Sequence, residues 1–248
     1  MIEPQVQSTG DGALVFDRAL GLVPDVAWFD PAHWQAHGQA ARASGGRGGV
    51  VFVTTAAGPC ALRHYCRGGL VARLSRDRYA WFGAARTRSF REFHLLAELA
   101  NAGLPVPAPV AARYVRQGLR YTADLLTRRI EAAQTLAALL GADRADRSSA
   151  ERIGGMLARF HAAGVWHADL NAHNILVDAA GKAWLLDFDR GRRRRPSLAW
   201  QQANLARLRR SLDKLGARRM AGFDARFWHP LLAAYHAALV AAAEEGRP

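Results

Sequence analysis

Val165-Trp166-His167-Ala168-Asp169-Leu170-Asn171-Ala172-His173-Asn174-Ile175-Leu176-Val177 is the stretch on which the reading of this chain turns. Upstream of it, Ile153, Met156, Leu157 and Phe160 recur at helical spacing, and Gly164 is a residue type that ends helices. Ser148-Ser149-Ala150-Glu151 has capping-box spacing and is the predicted start of that helix. Downstream, Ile175–Val177 and Ala183–Leu186 are short and apolar. The turn-forming Asp178-Ala179-Ala180-Gly181 separates them, so they read as two strands. The polar loop between helix and strands holds Asp169 and Asn174, five positions apart, and the second strand ends at Asp187, eighteen positions after Asp169. Two carboxylates and an amide brought toward one point offer hard oxygen ligands for a divalent cation and a carboxylate able to take a proton.

Outward from this stretch, the N-terminal half has a different texture. Residues 1–43 are mixed and weakly patterned, with Asp30-Pro31 opening a short helix that carries Trp34. The glycine-rich Ser44-Gly45-Gly46-Arg47-Gly48-Gly49 precedes Val50–Thr55, whose β-branched and aromatic side chains predict a strand. Gly58-Pro59 is the expected turn and Cys60–Tyr65 the returning strand. A basic stretch from Arg67-Gly68-Gly69 leads to Ser89-Phe90-Arg91-Glu92, a second sequence with capping-box spacing, after which Phe93, Leu96, Leu99 and Ala100 follow a helical period. Asn101-Ala102-Gly103 and the prolines at 105, 107 and 109 end that helix, and Val110–Tyr114 and Leu119–Leu126 predict two more strands. From about Glu131 the pattern turns helical, and Ala199 to about Gly246 is largely so. The expected class is α+β, with a small β-rich N-terminal lobe over residues 1–126 and a mostly helical C-terminal lobe over 127–248.

At 248 residues, with 50% hydrophobic and 22% charged, the chain has the composition of a globular protein with a sizeable core. Its net charge of +13, mostly arginine, implies an anionic partner: nucleic acid, an anionic membrane surface or a phosphorylated substrate. A genome that favours Arg and Ala accounts for part of it. The two cysteines, Cys60 and Cys66, are too few for a disulfide framework or a zinc site. No basic region followed by an apolar stretch opens the sequence, so no signal peptide is expected. The longest apolar run, Leu231 to Ala243, contains His236 and falls short of the roughly twenty residues a membrane span needs. A soluble or peripheral protein is expected.

Asp169 and Asn174 have the spacing of a kinase catalytic loop, in which the Asp receives the proton of a substrate hydroxyl and the Asn holds Mg²⁺. His167-x-Asp169-Leu170-x-x-x-Asn174 followed by Asp187-Phe188-Asp189 resembles the protein-kinase-like fold, which implies a bilobal architecture. Leu62-Arg63-His64-Tyr65 with Arg67-Gly68-Gly69, Gly103-Leu104-Pro105-Val106-Pro107, and Asp187-Phe188-Asp189-Arg190-Gly191 resemble the lipopolysaccharide kinases of Gram-negative bacteria. The likeness covers about residues 44–215 and is nearest to the branch that acts on 3-deoxy-D-manno-octulosonic acid (Kdo). It implies phosphate transfer from ATP to a Kdo hydroxyl, the 4-hydroxyl in that family. The acceptor would be a lipid A precursor at the cytoplasmic face of the inner membrane. On this resemblance Asp169 is the base or hydroxyl-orienting group and Asn174 and Asp187 hold Mg²⁺. Arg63 contacts the ATP phosphates with support from Glu92, and Gly46 and Gly48 border the nucleotide. The implied partners are lipid-linked Kdo and, peripherally, an anionic membrane surface, with no nucleic acid; the oligomeric state stays open.

The chain departs from the general kinase pattern in four places. Gly45-Gly46-Arg47-Gly48-Gly49 does not match Gly-x-Gly-x-x-Gly, and Arg63 stands where a Lys is usual, with a fork of donors in place of a point charge. Asp189 replaces the glycine of the metal motif. Asn171 replaces the Lys of protein Ser/Thr kinases, which leans away from a protein substrate. Several residues admit two readings. Glu92 either caps its helix or pairs with Arg63, with Glu98 as the other possible partner. Asp189 either binds metal or pairs with Arg190. His167 is expected to fix the loop by hydrogen bonds, His173 to be a loop residue, and Asp178 to carry no chemistry. Arg192–Arg195 is either a solvated run or a contact for an anionic substrate. Arg207, Arg209, Arg210, Lys214, Arg218 and Arg219 form a second basic face suited to anionic headgroups. Trp200 and Trp228 are expected in the core. Rival functions are a lipopolysaccharide heptose kinase, an aminoglycoside-type phosphotransferase, and a non-catalytic basic pseudokinase.

Overall fold

A computed structural model describes residues 1–42, 49–66 and 77–245. Gly46 and Gly48, expected beside the nucleotide, and Arg67-Gly68-Gly69 therefore lie outside the described residues. The chain divides into two units, one of residues 1–103 and 107–129, the other of residues 104–106 and 130–248.

The first unit is an antiparallel sheet with short helices. Its strands are β1 (Pro4–Thr9), β2 (Gly12–Asp17), β3 (Ala40–Arg42), β4 (Val50–Thr55), β5 (Gly58–His64), β6 (Tyr79–Ala80), β7 (Pro109–Gln117) and β8 (Arg120–Arg128). They run in the order β1-β2-β7-β8-β5-β4-β3, with β6 also on β8. The weakly patterned N-terminus is in fact the hairpin β1–β2, turned at Gly10-Asp11. Ala13 to Phe16 of β2 are all buried. A strand covered on both faces shows an unbroken apolar run rather than alternation, which is why its pattern is weak. The turn between β4 and β5 falls at Ala56-Ala57, where the Thr55 hydroxyl accepts from Ala57 N at 3.0 Å. The expected turn residue Gly58, with φ of 95°, opens β5 instead.

Leu14, Phe16, Val51, Val53, Cys60 and Leu62 belong to one core cluster, joined by Phe29 and by Trp34 of helix α1 (Pro31–Ala36). Each such large apolar side chain contributes roughly 1.5–3 kcal/mol on burial. Side chains alternate along β5, so Arg63 points away from that cluster, toward helix α2 (Arg88–Asn101). Phe90, Phe93, Leu96 and Leu99 of α2 are buried, and the Phe90 ring lies 5.1 Å from Tyr114 of β7. The Ser89-x-x-Glu92 box does not form. Thr87 is the N-cap but its hydroxyl donates back to Ala84 O at 2.7 Å and does not cap the helix, Ser89 Oγ donates to Arg113 O at 2.8 Å, and Glu92 bonds elsewhere.

The second unit contains β9 (Gln134–Thr135), α3 (Leu136–Gly141), α4 (Arg147–Ala162), β10 (Val165–Trp166), β11 (Ile175–Val177), β12 (Ala183–Leu185), β13 (Arg192–Arg193), α5 (Leu198–Lys214) and α6 (His229–Glu245). Strand β11 pairs with both β12 and β9, and β10 pairs with β13. The capping box of α4 is closed by Asp146 and Ser149 rather than by Ser148 and Glu151. Asp146 accepts from Ser149 N at 2.8 Å, and Ser149 Oγ accepts from Asp146 N at 3.1 Å. Asp serves as a cap as well as Ser does, which moved the helix start upstream. Helix α6 lies against α4 at Gly154, where a Cβ would run into the Leu231 carbonyl oxygen and stand 3.0 Å from Tyr235 N. Trp200 and Trp228 are half-buried rather than core. Among the described residues no helix is long and apolar enough to cross a membrane.

Candidate active site

In the first unit, Leu62-Arg63-His64-Tyr65 is a run of side chains each given a defined partner by the sheet. Arg63 Nη2 pairs with Glu92 Oε2 of α2 and donates to the Tyr65 hydroxyl at 3.1 Å, while that hydroxyl donates to the same Glu92 oxygen at 2.6 Å. Positions 63 and 65 share a strand face, so both meet the helix. Glu92 is 2% exposed and Arg63 25%, so the carboxylate is buried and the guanidinium side chain is partly exposed. The guanidinium also sits 4.6 Å from the Tyr65 ring centroid. Burial, reinforced by the Glu92 charge, pushes the Tyr65 hydroxyl well above its ordinary pKa, so it stays a donor. On the opposite face His64 Nδ1 bonds Asp124 Oδ1 at 2.7 Å, and Arg113 Nε donates to Asp124 Oδ2 at 3.0 Å. The bond to Asp124 raises the His64 pKa.

In the second unit, the loop after β10 is held from within. His167 is 2% exposed. Its Nδ1 accepts from Asp169 N at 3.2 Å, which leaves the proton on Nε2 for donation to Leu186 O at 2.8 Å. Burial lowers its pKa, so the ring stays neutral. Asn171 Nδ2 donates to Asp169 O at 3.1 Å and to Asp169 Oδ2 at 3.0 Å. Its Oδ1 accepts from His173 N at 2.8 Å and Asn174 N at 3.2 Å. Asn174 Nδ2 donates to Asp169 O at 2.9 Å, and its amide oxygen Oδ1 is an acceptor. Asp169 keeps half of its side-chain surface, 51%, exposed. A carboxylate so oriented by an amide, and half-exposed, can accept a proton from a bound hydroxyl.

Leu186 joins this loop to Asp187. Its N–H donates to Asn174 O at 2.8 Å and its carbonyl takes the His167 proton, so the peptide before Asp187 is gripped by both ends of the loop. Asp187 itself has a φ of 62°, in the left-handed region, and is exposed. Phe188 is buried, with its ring 5.0 Å from His167 and 5.8 Å from Phe160 of α4. Among the described residues no three His, Cys, Asp or Glu side chains converge on one point to hold a metal. A carboxylate and an amide oxygen suit Mg²⁺, which takes one or two protein oxygens and completes its shell with phosphate and water. Asn174 Oδ1, on the amide whose Nδ2 is held by Asp169 O, fits that donor set.

Two basic segments flank the loop. Arg192 and Arg193 are exposed but form strand β13, paired with Trp166 and Val165. The guanidiniums of Arg192 and Arg194 lie 5.0 Å and 4.2 Å from the Trp166 ring centroid, cation–π contacts that use part of this run to brace the loop's entry. On α5, Arg207 Nη1 reaches Asp169 Oδ1 at 3.4 Å, so this residue leaves the expected basic face for the loop.

Asp169 and Asn174 are thus in direct contact, Asp187 is tied to them through Leu186, and Arg63 meets Glu92 in the first unit. The residue reading overlooked Tyr65, Asn171 and Arg207. The first was detectable from its two-residue spacing to Arg63. The second is a short polar side chain within a turn, which folds back on its own backbone. Nothing local marks the third.

A model of the Lipopolysaccharide kinase (Kdo/WaaP) family matches residues 31–235. A protein of Xanthomonas axonopodis pv. citri (strain 306) named 3-deoxy-D-manno-octulosonic acid kinase is 50% identical over 221 residues, spanning 88% of this chain and 87% of its own length. One of the same name from Stenotrophomonas maltophilia (strain K279a) is 49% identical over 222 residues, again 88% and 87% of the two lengths. A third, from Xanthomonas oryzae pv. oryzae (strain PXO99A), is 50% identical over 221 residues with the same coverage.

Proposed function

The chain belongs to the lipopolysaccharide kinase (Kdo/WaaP) family, and from that premise we propose that it phosphorylates Kdo on a lipid A precursor during lipopolysaccharide core assembly. It is a phosphotransferase with a hydroxyl acceptor, and ATP is its phosphate donor. The 4-hydroxyl is the acceptor position in our reading. The observation that carries the mechanism is the half-exposed Asp169 carboxylate, oriented by Asn171 through Oδ2 and backed by Asn174 at its carbonyl.

Asp169 takes the proton of the sugar hydroxyl as that oxygen bonds the γ-phosphorus and the bond to the ADP oxygen breaks. Asn174 Oδ1 and the Asp187 carboxylate are the side chains that would hold Mg²⁺, whose charge offsets that of the phosphate oxygens. Arg63 contacts the nucleotide phosphates in this reading, and Glu92 and Tyr65 hold its guanidinium in place. Gly46 and Gly48 complete the nucleotide contacts in this reading. His167 does no proton transfer; it fixes the loop. The basic side chains of α5 and of the turn after it meet an anionic membrane surface peripherally, at about 1 kcal/mol each near the headgroups. That surface is the cytoplasmic leaflet of the inner membrane.

The deciding experiment supplies labelled ATP and Mg²⁺ with a panel of Kdo-lipid A precursor, heptosylated acceptor and aminoglycoside. Label on the Kdo 4-hydroxyl supports the reading. Label only on heptose or aminoglycoside, or no ATP consumption at all, sinks it.

A further inference from the structure

Helix α5 runs along the candidate catalytic loop and touches it at three points in register. Asn204 Nδ2 donates to His167 O at 3.0 Å, Arg207 Nη1 approaches Asp169 Oδ1 at 3.4 Å, and Ser211 Oγ accepts from Ala172 N at 3.1 Å. Positions 204, 207 and 211 lie on one face of a helix. The outer two contacts lock helix to loop, and the middle one aims a guanidinium at the side of Asp169 that Asn171 does not cover.

That guanidinium is not consumed by the contact. At 3.4 Å it is long for a charge-assisted hydrogen bond, which closes to about 2.7–2.9 Å when it is strong. Arg207 is 47% exposed, and among the described residues Asp169 is its only hydrogen-bonding or ion-pairing side chain. A half-exposed pair of this kind adds about 0–1 kcal/mol to stability, so holding the fold does not explain its placement. A guanidinium carries five N–H donors, so the Nη1 approach to Asp169 leaves donors for a ligand group beside that carboxylate, where an acceptor hydroxyl must come.

Kdo is a sugar acid. It presents a carboxylate on the same ring system as the reacting hydroxyl, and a guanidinium fork matches a carboxylate in shape as well as charge. The nucleotide phosphates already have Arg63 and the Asn174–Asp187 pair in our reading, whereas the acceptor's carboxylate has no counter-ion yet. We propose that Arg207 binds the carboxylate of the acceptor's octulosonic acid while Asp169 takes the proton of its hydroxyl. This rests on the Kdo reading and adds the group that would read the acid. A heptose offers no such group, so Arg207 separates the two acceptor classes.

The test compares a synthetic Kdo glycoside bearing a free carboxylate with its methyl ester, using the full chain, ATP and Mg²⁺, for the unsubstituted protein, R207K and R207A. The acid is expected to be preferred over the ester by roughly 10- to 100-fold in kcat/KM, the range for one charge-assisted interaction. In R207A the acid-to-ester ratio falls to about one while the KM for ATP holds. R207K falls between, because a point charge attracts the carboxylate without the bidentate fit. Equal losses on acid and ester in R207A, or a raised KM for ATP, overturn the proposal by assigning Arg207 to Asp169 or to the nucleotide. If R207A does not fold, an unsubstituted protein indifferent to esterification overturns it equally. Failure to phosphorylate Kdo in either glycoside or in the lipid-linked form removes the functional reading itself, a result distinct from activity without discrimination.

Discussion

The Tyr65 hydroxyl donates to Glu92 Oε2 at 2.6 Å, the same oxygen that receives the Arg63 guanidinium. One buried carboxylate oxygen thus sets the position of two side chains from one strand face. Glu92→Gln replaces the charged partner of Arg63 with a neutral amide beside the Tyr65 hydroxyl. Breaking one side of a buried pair costs about 3–5 kcal/mol, and the lower end applies because Arg63 is 25% exposed. Tyr65→Phe removes one donor and costs about 1–2 kcal/mol. Urea unfolding ranks the two variants, and Glu92→Gln also raises the KM for ATP.

Asp169→Asn keeps the shape of the loop and removes the proton acceptor. Turnover falls by roughly 10²–10⁴, the usual contribution of a general base, with ATP affinity near that of the unsubstituted protein. Single-turnover phosphorylation beside fluorescent-nucleotide titration measures both, and an unchanged rate removes Asp169 from the chemistry.

Asn174→Ala deletes the amide oxygen and the bond to Asp169 O together. The Mg²⁺ concentration for half-maximal turnover moves upward, and a chelator stops the unsubstituted enzyme until Mg²⁺ is returned. An Mg²⁺ curve that stays put in Asn174→Ala rules out this residue as a ligand.

Acid destabilises the second unit through His161. Burial holds that ring neutral and lowers its pKa from 6.5 to about 4, while the ring shares a 2.7 Å hydrogen bond with the Tyr235 hydroxyl of α6. Below pH 6.5 the unfolded chain binds the proton that the folded chain refuses, so stability falls as pH drops from 6.5 toward 4. The full loss is on the order of 3 kcal/mol. Urea midpoints at several pH values follow it, and His161→Gln flattens the slope in that window.

Gly154 and Gly155 are adjacent in α4 and predict opposite outcomes. A Cβ at Gly154 meets the backbone of α6, so Gly154→Ala destabilises by about 1–3 kcal/mol. Gly155 has nothing within 4 Å, so Gly155→Ala stabilises by roughly 0.5–1 kcal/mol through helix propensity. Thermal melts of the two variants should move in opposite directions.

The catalytic-loop segment was legible because its geometry is local: Asp169, Asn174 and Asp187 sit at fixed spacings on a loop and a hairpin that announce themselves by turn and strand residues. Glu92 was half-legible, since the Ser89-x-x-Glu92 spacing served two readings and only the third dimension chose pairing with Arg63. Strand β2 escaped because burial on both faces erases alternation. Arg192 and Arg193 are exposed, as a solvated run would be, but charge says nothing of their backbone pairing with β10. Arg207 was beyond reach, since its meeting with Asp169 depends on the rotation of α5 about its own axis.

Asp187, with its φ of 62°, sits in a backbone well that costs a side chain roughly 1–2 kcal/mol and costs glycine almost nothing. On the proposed mechanism Asp187→Gly therefore relaxes the backbone while deleting a carboxylate assigned to Mg²⁺. Selection of this protein for heat resistance alone would drift toward a sturdier, inactive enzyme at that position, so any stabilisation campaign must hold residue 187 fixed or assay turnover at every round.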